Sequence, residues 1–180
     1  MTMTEKKLSP IQILRAETGD ITTFPTCIVN AANESLLGGS GVDGAIHAAA
    51  GPELFQECLT LGGCKTGKAK ITKGYHLKAD YVIHTPGPIY SVHKEPEKLL
   101  ASCYRNCMKL AMEHDIHEIA FPAISTGVYG YPKEEAAKIA TETVAQCLKE
   151  HPDYEMLVHF VCFGMRDYDI YEEILCEKSE

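Results

Sequence analysis

Positive charge is scarce in this chain: 17 Lys and Arg stand against 25 Asp and Glu, a formal net charge of −8. Non-specific nucleic-acid binding rests on clustered cations, so that function class loses its basis. Long apolar runs are missing too. No segment reaches the roughly 20 residues that a membrane-spanning helix requires, and residues 1–7 lack the charged-then-apolar pattern of a secretory leader. A cytoplasmic protein with no membrane partner is the expectation. The eight cysteines, Cys27, Cys58, Cys64, Cys103, Cys107, Cys147, Cys162 and Cys176, include no Cys-x-x-Cys pair. Cys103 and Cys107 fall at i, i+4 in an apolar stripe, which fits reduced core thiols better than disulfides or metal ligands. His76, His93, His114, His117, His151 and His159 show no metal-ligand spacing, and no metal is expected. Repeats, low-complexity tracts, linkers and coiled-coil patterns are absent as well, which leaves one domain, 1–180, with a monomer as the expected state.

What is present is the composition of a folded domain, 45% hydrophobic and 23% charged over 180 residues, long enough to bury a core. Apolar runs at 11–16, 27–30, 81–85, 118–122 and 156–163 barely alternate and read as strands buried on both faces. Residues 69–72 are a further candidate strand. Between the runs lie helical patterns at 43–50, 52–61, 97–114 and 133–149, and a last one near 168–176. The 133–149 pattern is the clearest: Pro132 precedes it, Glu134 and Glu135 fall in its first turn, and Ala136, Ile139, Ala140, Val144 and Leu148 mark one face. Strands alternating with helices imply βαβ units and a three-layer α/β/α domain. Ligands of such sheets bind outside the carboxyl ends of the strands.

The richest segment is 28–47, Ile-Val-Asn-Ala-Ala-Asn-Glu-Ser-Leu-Leu-Gly-Gly-Ser-Gly-Val-Asp-Gly-Ala-Ile-His. It joins a strand to two asparagines, a glycine-dense loop and a helix start. Glycines let main-chain N–H groups close on a ligand, and a helix N-terminus adds partial positive charge, so the arrangement suits a phosphate. Asp43 and His47 share a helix face. Asp43 reads either as a helix N-cap or as a carboxylate that orients a water, and His47 as a packing histidine or a participant. Asn30 and Asn33 serve equally as turn formers or as partners of ribose hydroxyls. Asp20 reads as a capping residue or as an acceptor for an exocyclic amine. A second loop, 122–132, again runs from strand to helix N-terminus, but neither loop has P-loop or dinucleotide-fingerprint spacing. Ser125 lacks the elbow of a serine nucleophile.

Gly19-Asp20-Ile21-Thr22, the 28–47 segment, Ala49-Ala50-Gly51-Pro52, Cys64-Lys65-Thr66-Gly67, Val82-Ile83-His84-Thr85-Pro86-Gly87-Pro88 and the 122–132 loop together resemble the MacroD-type branch of the macro domain family. The resemblance spans about residues 8–175. It implies a mixed sheet sandwiched by helices, with an ADP-ribose cleft at one edge. Asp20 then accepts from the adenine amine, Ile21 packs beside the base, and Phe163 is its aromatic neighbour. Asn33 sits near the distal ribose and Asn30 supports the loop. Gly41 and Val42 of the first loop, with Ser125, Thr126, Gly127, Val128 and Tyr129 of the second, enclose the pyrophosphate, Tyr129 also covering the distal ribose.

The implied activity is hydrolysis of esters on that ribose, either removing mono-ADP-ribose from acidic protein side chains or deacetylating O-acetyl-ADP-ribose. Asp43 would position or activate water, with Asn33 and His47 completing the catalytic set. The implied partners are ADP-ribose, its esters and mono-ADP-ribosylated proteins, with no cofactor. A reader that binds ADP-ribose without cleaving it is the alternative. Two departures from the family pattern carry expectations: Ser40 interrupts the glycine run and is strained if φ is positive there, and Pro86 replaces a common valine, stiffening its loop.

Overall fold

Pattern and secondary structure agree closely where the pattern is strong. In the computed structural model, which describes residues 2–176, the strands are Met3–Ser9 (β1), Gln12–Thr18 (β2), Thr26–Ala32 (β3), Lys70–Lys73 (β4), Ala79–Pro86 (β5), Glu118–Phe121 (β6) and Met156–Cys162 (β7). The helices are Gly41–Ala50 (α1), Pro52–Thr60 (α2), Pro96–Glu113 (α3), Lys133–Lys149 (α4) and Met165–Cys176 (α5). Residues 1 and 177–180 of the expected 1–180 domain lie outside the described residues. α4 keeps its expected bounds, with acidic residues in its first turn and Lys149 in its last matching the helix dipole.

The seven strands form one mixed sheet in the order β1-β2-β7-β6-β3-β5-β4. The five central strands run parallel, while β1 and β4 lie antiparallel at the two edges. Parallel neighbours need crossovers, and here helices supply them on both faces. α1 and α2 bury Ile46, Ala50, Leu54 and Cys58 against Ile28, Ala32 and Val82. On the other face α3, α4 and α5 bury Leu100, Cys103, Cys107, Val144, Tyr168 and Tyr171 against Leu14, Val29, Phe121 and Val158. The three-layer α/β/α sandwich is the result. All eight cysteines are free and seven are buried, as core thiols should be. No helix among the described residues is long and apolar enough to cross a membrane.

The strand that the sequence reading omits is β1. Its residues alternate between exposed and half-buried with none fully buried, so an edge strand solvated on one side leaves no apolar run to detect. Neighbouring Ile11, expected to open a strand, sits in the turn into β2 and is 37% exposed.

The buried His159 joins three parallel strands. Its Nδ1 lies 2.6 Å from Glu17 Oε2 of β2 and its Nε2 2.7 Å from Glu118 Oε2 of β6, with the Phe24 ring edge-on at 5.0 Å. Replacing His159 by Leu leaves two carboxylates facing an apolar side chain, with Glu17 only 8% exposed. Urea denaturation at neutral pH should register a loss of about 3 kcal/mol.

Candidate functional site

The parallel core aligns the carboxyl ends of five strands, and each of the expected site residues follows one of them or, in the case of Asn30, ends within one. Asp20 and Ile21 come after β2, the 33–43 segment after β3, Gly87 after β5, the 123–129 loop after β6 and Phe163 after β7. A cleft of about 460 Å³ opens where these loops meet, lined by Ala31, Asn33, Gly39–Val42, Asp43, Gly87, Ala123, Ser125, Gly127, Val128 and Tyr129. A larger groove of about 790 Å³ lies between β1, α4 and α5. Its mixture of Lys6, Lys138 and Arg166 with Glu134, Glu142 and Glu173 is an ordinary solvated surface, so size alone does not mark the site.

Among the described residues no Lys or Arg lines the cleft; its donors are chiefly main-chain N–H groups. The first-turn amides of α1 have no acceptor within the helix. Those of Gly127, Val128 and Tyr129 have none among the described residues. Two loops of free amides thus face one cavity from the ends of neighbouring parallel strands, β3 and β6. Ser125 adopts φ 68°, and its buried Oγ has no hydrogen-bond partner among the described residues. Ser125 is held against Gly87, where a methyl group would lie 2.2 Å from that oxygen.

Ser40 takes φ −99° and ψ 179° as the N-cap of α1, so the strain expected at this break in the glycine run is absent; Gly38 and Gly41 carry the positive φ values instead. Because Ser40 is the cap, Asp43 is not; it stands in the first turn of α1, 5% exposed. Asn30 Nδ2 donates to its Oδ1 at 2.9 Å. The other oxygen, Oδ2, faces the cleft loop, 3.1 Å from where a Gly39 methyl would sit. One oxygen is anchored and one is presented. Burial raises the Asp43 carboxyl above its ordinary 3.8, against the opposing effects of the Asn30 hydrogen bond and the charge of His47.

Other expected residues are placed differently. Asn33 lines the cleft, but its Oδ1 accepts from Ser35 and Leu36 and its Nδ2 donates to the Gly38 carbonyl. The side chain ties the glycine loop down while leaving one N–H free. Asn30 is fully buried beneath the cleft floor and touches Asp43 rather than the cavity. His47 Nε2 lies 3.4 Å from Asp43 Oδ1, yet its ring faces a separate recess behind the glycine loop, with Gly38, Gly44 and Phe55. Thr126 turns its hydroxyl to the Ala123 carbonyl, also away from the cleft.

Asp20, Ile21 and Phe163 lie together beyond the cleft proper. Gly19 N–H donates to the Cys162 carbonyl, which brings the ends of β2 and β7 side by side. Asp20 caps a 3-10 turn at Ile21–Thr23, its Oδ1 accepting from the Thr22 N–H and hydroxyl, and its second oxygen is unengaged among the described residues. Phe163 is 97% exposed, an apolar ring offered to solvent on the binding rim.

His84 is the neighbour that motif reading passed over. It is fully buried in β5 and lies 3.2 Å from Asn30 Nδ2 through its Nδ1. Burial lowers its pKa to about 3, so the ring is neutral. Its place in the 82–88 motif and its polarity inside an otherwise apolar strand were signals, but neither pointed to a role. Nearby thiols are inert: burial pushes Cys58 and Cys103 up to about 11, so neither is a nucleophile at neutral pH.

Comparison with known proteins gives a consistent picture. The Macro domain family profile matches residues 29–140. The chain is 56% identical to the ADP-ribose glycohydrolase MACROD2 of Xenopus laevis, covering 88% of this chain and 39% of that protein. It is 48% identical to O-acetyl-ADP-ribose deacetylase 1 of Pantoea vagans, covering 94% and 99%. The solved structure of a glycine-to-valine variant of the Oceanobacillus iheyensis macrodomain with ADPR superimposes with a TM-score of 0.91 at 45% identity, over 97% of each chain.

Proposed function

Because the chain belongs to the macro domain family, we propose that it is an ADP-ribosyl-ester hydrolase, removing mono-ADP-ribose from acidic protein side chains and deacetylating O-acetyl-ADP-ribose. The observation that carries this reading is Asp43. A site that only held ADP-ribose would have no use for a buried carboxylate with one oxygen anchored by Asn30 and the other turned to the cleft beside two amide loops. Within the Ser125–Tyr129 loop the free amides of Gly127, Val128 and Tyr129, with those of Gly41 and Val42, bind the pyrophosphate. Asp20, Ile21 and Phe163 receive the adenine, and Asn33 and Tyr129 flank the distal ribose. The distal ester then lies over Asp43 Oδ2, which accepts a proton from the attacking water. Water adds across the ester, one product leaving as the carboxylic acid and the other as the free ribose hydroxyl. His47 and Asn30 act on the orientation of Asp43 rather than on substrate. The proposal includes a single macro domain, monomeric, acting without a cofactor on mono-ADP-ribosylated proteins in the cytoplasm.

Two substrates test it side by side: a protein carrying ADP-ribose on glutamate, and O-acetyl-ADP-ribose. Release from both is expected; tight ADP-ribose binding with release from neither would make the protein a reader. The pH profile adds a signature. Asp43 must be ionised to accept a proton, and burial raises its pKa. Activity should therefore fall with decreasing pH along an acid limb whose midpoint lies above the ordinary 3.8.

A further inference from the structure

Asp43 is held by a line of hydrogen bonds that starts at the edge of the sheet. Asn30 Nδ2, a donor to Asp43 Oδ1 at 2.9 Å, also lies 3.2 Å from His84 Nδ1. The contacts close consistently when Nδ1 accepts and Nε2–H donates to the hydroxyl oxygen of Thr72 in β4 at 2.9 Å. The Thr72 hydrogen is then left for the carbonyls of Lys73 (3.2 Å) and Val82 (3.5 Å). We propose that His84 is a positioning residue for the Asp43 carboxylate, acting through Asn30, with the Thr72 hydroxyl accepting from its Nε2–H. The proposal rests on the hydrolase reading only in what the line is for.

Asn30 Oδ1 is buried with no hydrogen-bond partner among the described residues, so the carboxamide is oriented from its Nδ2 side. Turning its carboxamide over would set its oxygen against two acceptors, the histidine nitrogen and the carboxylate, so each acceptor enforces the donor seen by the other. Water does not compete: Asn30 and His84 are 0% exposed, Thr72 2% and Asp43 5%. A protonated His84 would present a donor to the Asn30 amide and break the line; burial keeps the ring neutral down to about pH 3. Two other titratable groups face this line. His47 lies 3.4 Å from Asp43 Oδ1, and the Cys58 sulfur, kept protonated by burial, lies 3.9 Å from His84 Nε2.

The test replaces His84 by Leu, Gln and Asn. Asn returns an acceptor near the Nδ1 position, whereas Gln reaches only toward that of Nε2. The Asp43 carboxyl is titrated by carbon NMR, its signal identified by its loss in Asp43→Asn, and ester turnover is measured alongside. In the Leu and Gln variants the titration should move up by about one pH unit, because the donor that opposes burial is no longer held in place. Their kcat should fall about tenfold with KM unchanged, and Asn should restore both. An unmoved titration in Leu and Gln, or rescue by Gln equal to that by Asn, overturns the proposal. If the Leu variant fails to fold, the contrast between Asn and Gln decides. The titration needs no substrate, so a wild-type protein without turnover would sink the hydrolase reading and leave this one to be judged separately.

Discussion

Replacing Asp43 by Asn should lower the rate of ester cleavage about 10²–10⁴-fold, the usual contribution of a positioned proton acceptor, while ADP-ribose binding persists. The amide keeps the shape of the carboxyl, and its oxygen still accepts from Asn30 Nδ2, whose 2.9 Å bond to Oδ1 is the main polar contact of the native side chain. What is lost is the ability of the cleft-facing atom to take a proton. Stability should not suffer. Burial raises the folded pKa of Asp43, so between the unfolded and folded values the native state binds more protons and gains stability as pH falls. Above both values the ionised group weighs against folding, and removing the charge relieves that cost. Calorimetric titration with ADP-ribose, single-turnover assays and thermal melts at neutral pH measure the three effects. Equal turnover in wild type and variant would remove Asp43 from the chemistry.

Gly44→Ala should have the second largest effect, and of an unusual kind. Alanine is the better helix former by roughly 1 kcal/mol, and Gly44 lies within α1, so propensity alone favours the change. Yet a methyl group there would sit 2.6 Å from the carbonyl oxygen of Gly39. That atom is main chain in the loop lining the cleft, and it has no rotamer with which to step aside. The loop must lift away from the helix, at a cost of about 1–3 kcal/mol. Because this loop carries the amides that receive the pyrophosphate, ADP-ribose affinity should drop about 10–100-fold while the melting temperature changes little. A melting temperature that falls with affinity unaltered would show that the loop absorbs the methyl group and that Gly44 serves packing only.

Much of this fold was legible in residue order because its central strands are parallel and covered on both faces. Cys27-Ile28-Val29 and Tyr81-Val82-Ile83 are continuous apolar runs for that reason. β1 was not legible, since its one-sided burial leaves polar residues on alternate positions. At the site, spacing brought Asp43 and His47 to one helix face and set both loops directly after strands. It could not tell which polar groups look into the cavity and which look beneath it. Asn30 and Asn33 are three residues apart and chemically identical, yet one is sealed under the floor against Asp43 and the other lines the wall. His84 lies 54 residues beyond Asn30, and only the pairing of β3 with β5, which sets Asn30 beside His84 in register, brings it to Asp43. Ser40 shows a conformation that residue order left open. A glycine run permits positive φ throughout, whereas the helix cap at that position is extended.

The cleft's reliance on main-chain amides has a consequence for the conditions under which it works. A pocket lined by Lys or Arg carries a cloud of small anions that an incoming diphosphate must displace, which ties affinity to ionic strength. Among the described residues no Lys or Arg lines this cleft, which leaves less of such a cloud to expel. The affinity for ADP-ribose should therefore fall less steeply with added salt than that of a cation-lined pocket, although the helix N-terminal charge at α1 is itself screened; calorimetric titration at low and high ionic strength measures the slope.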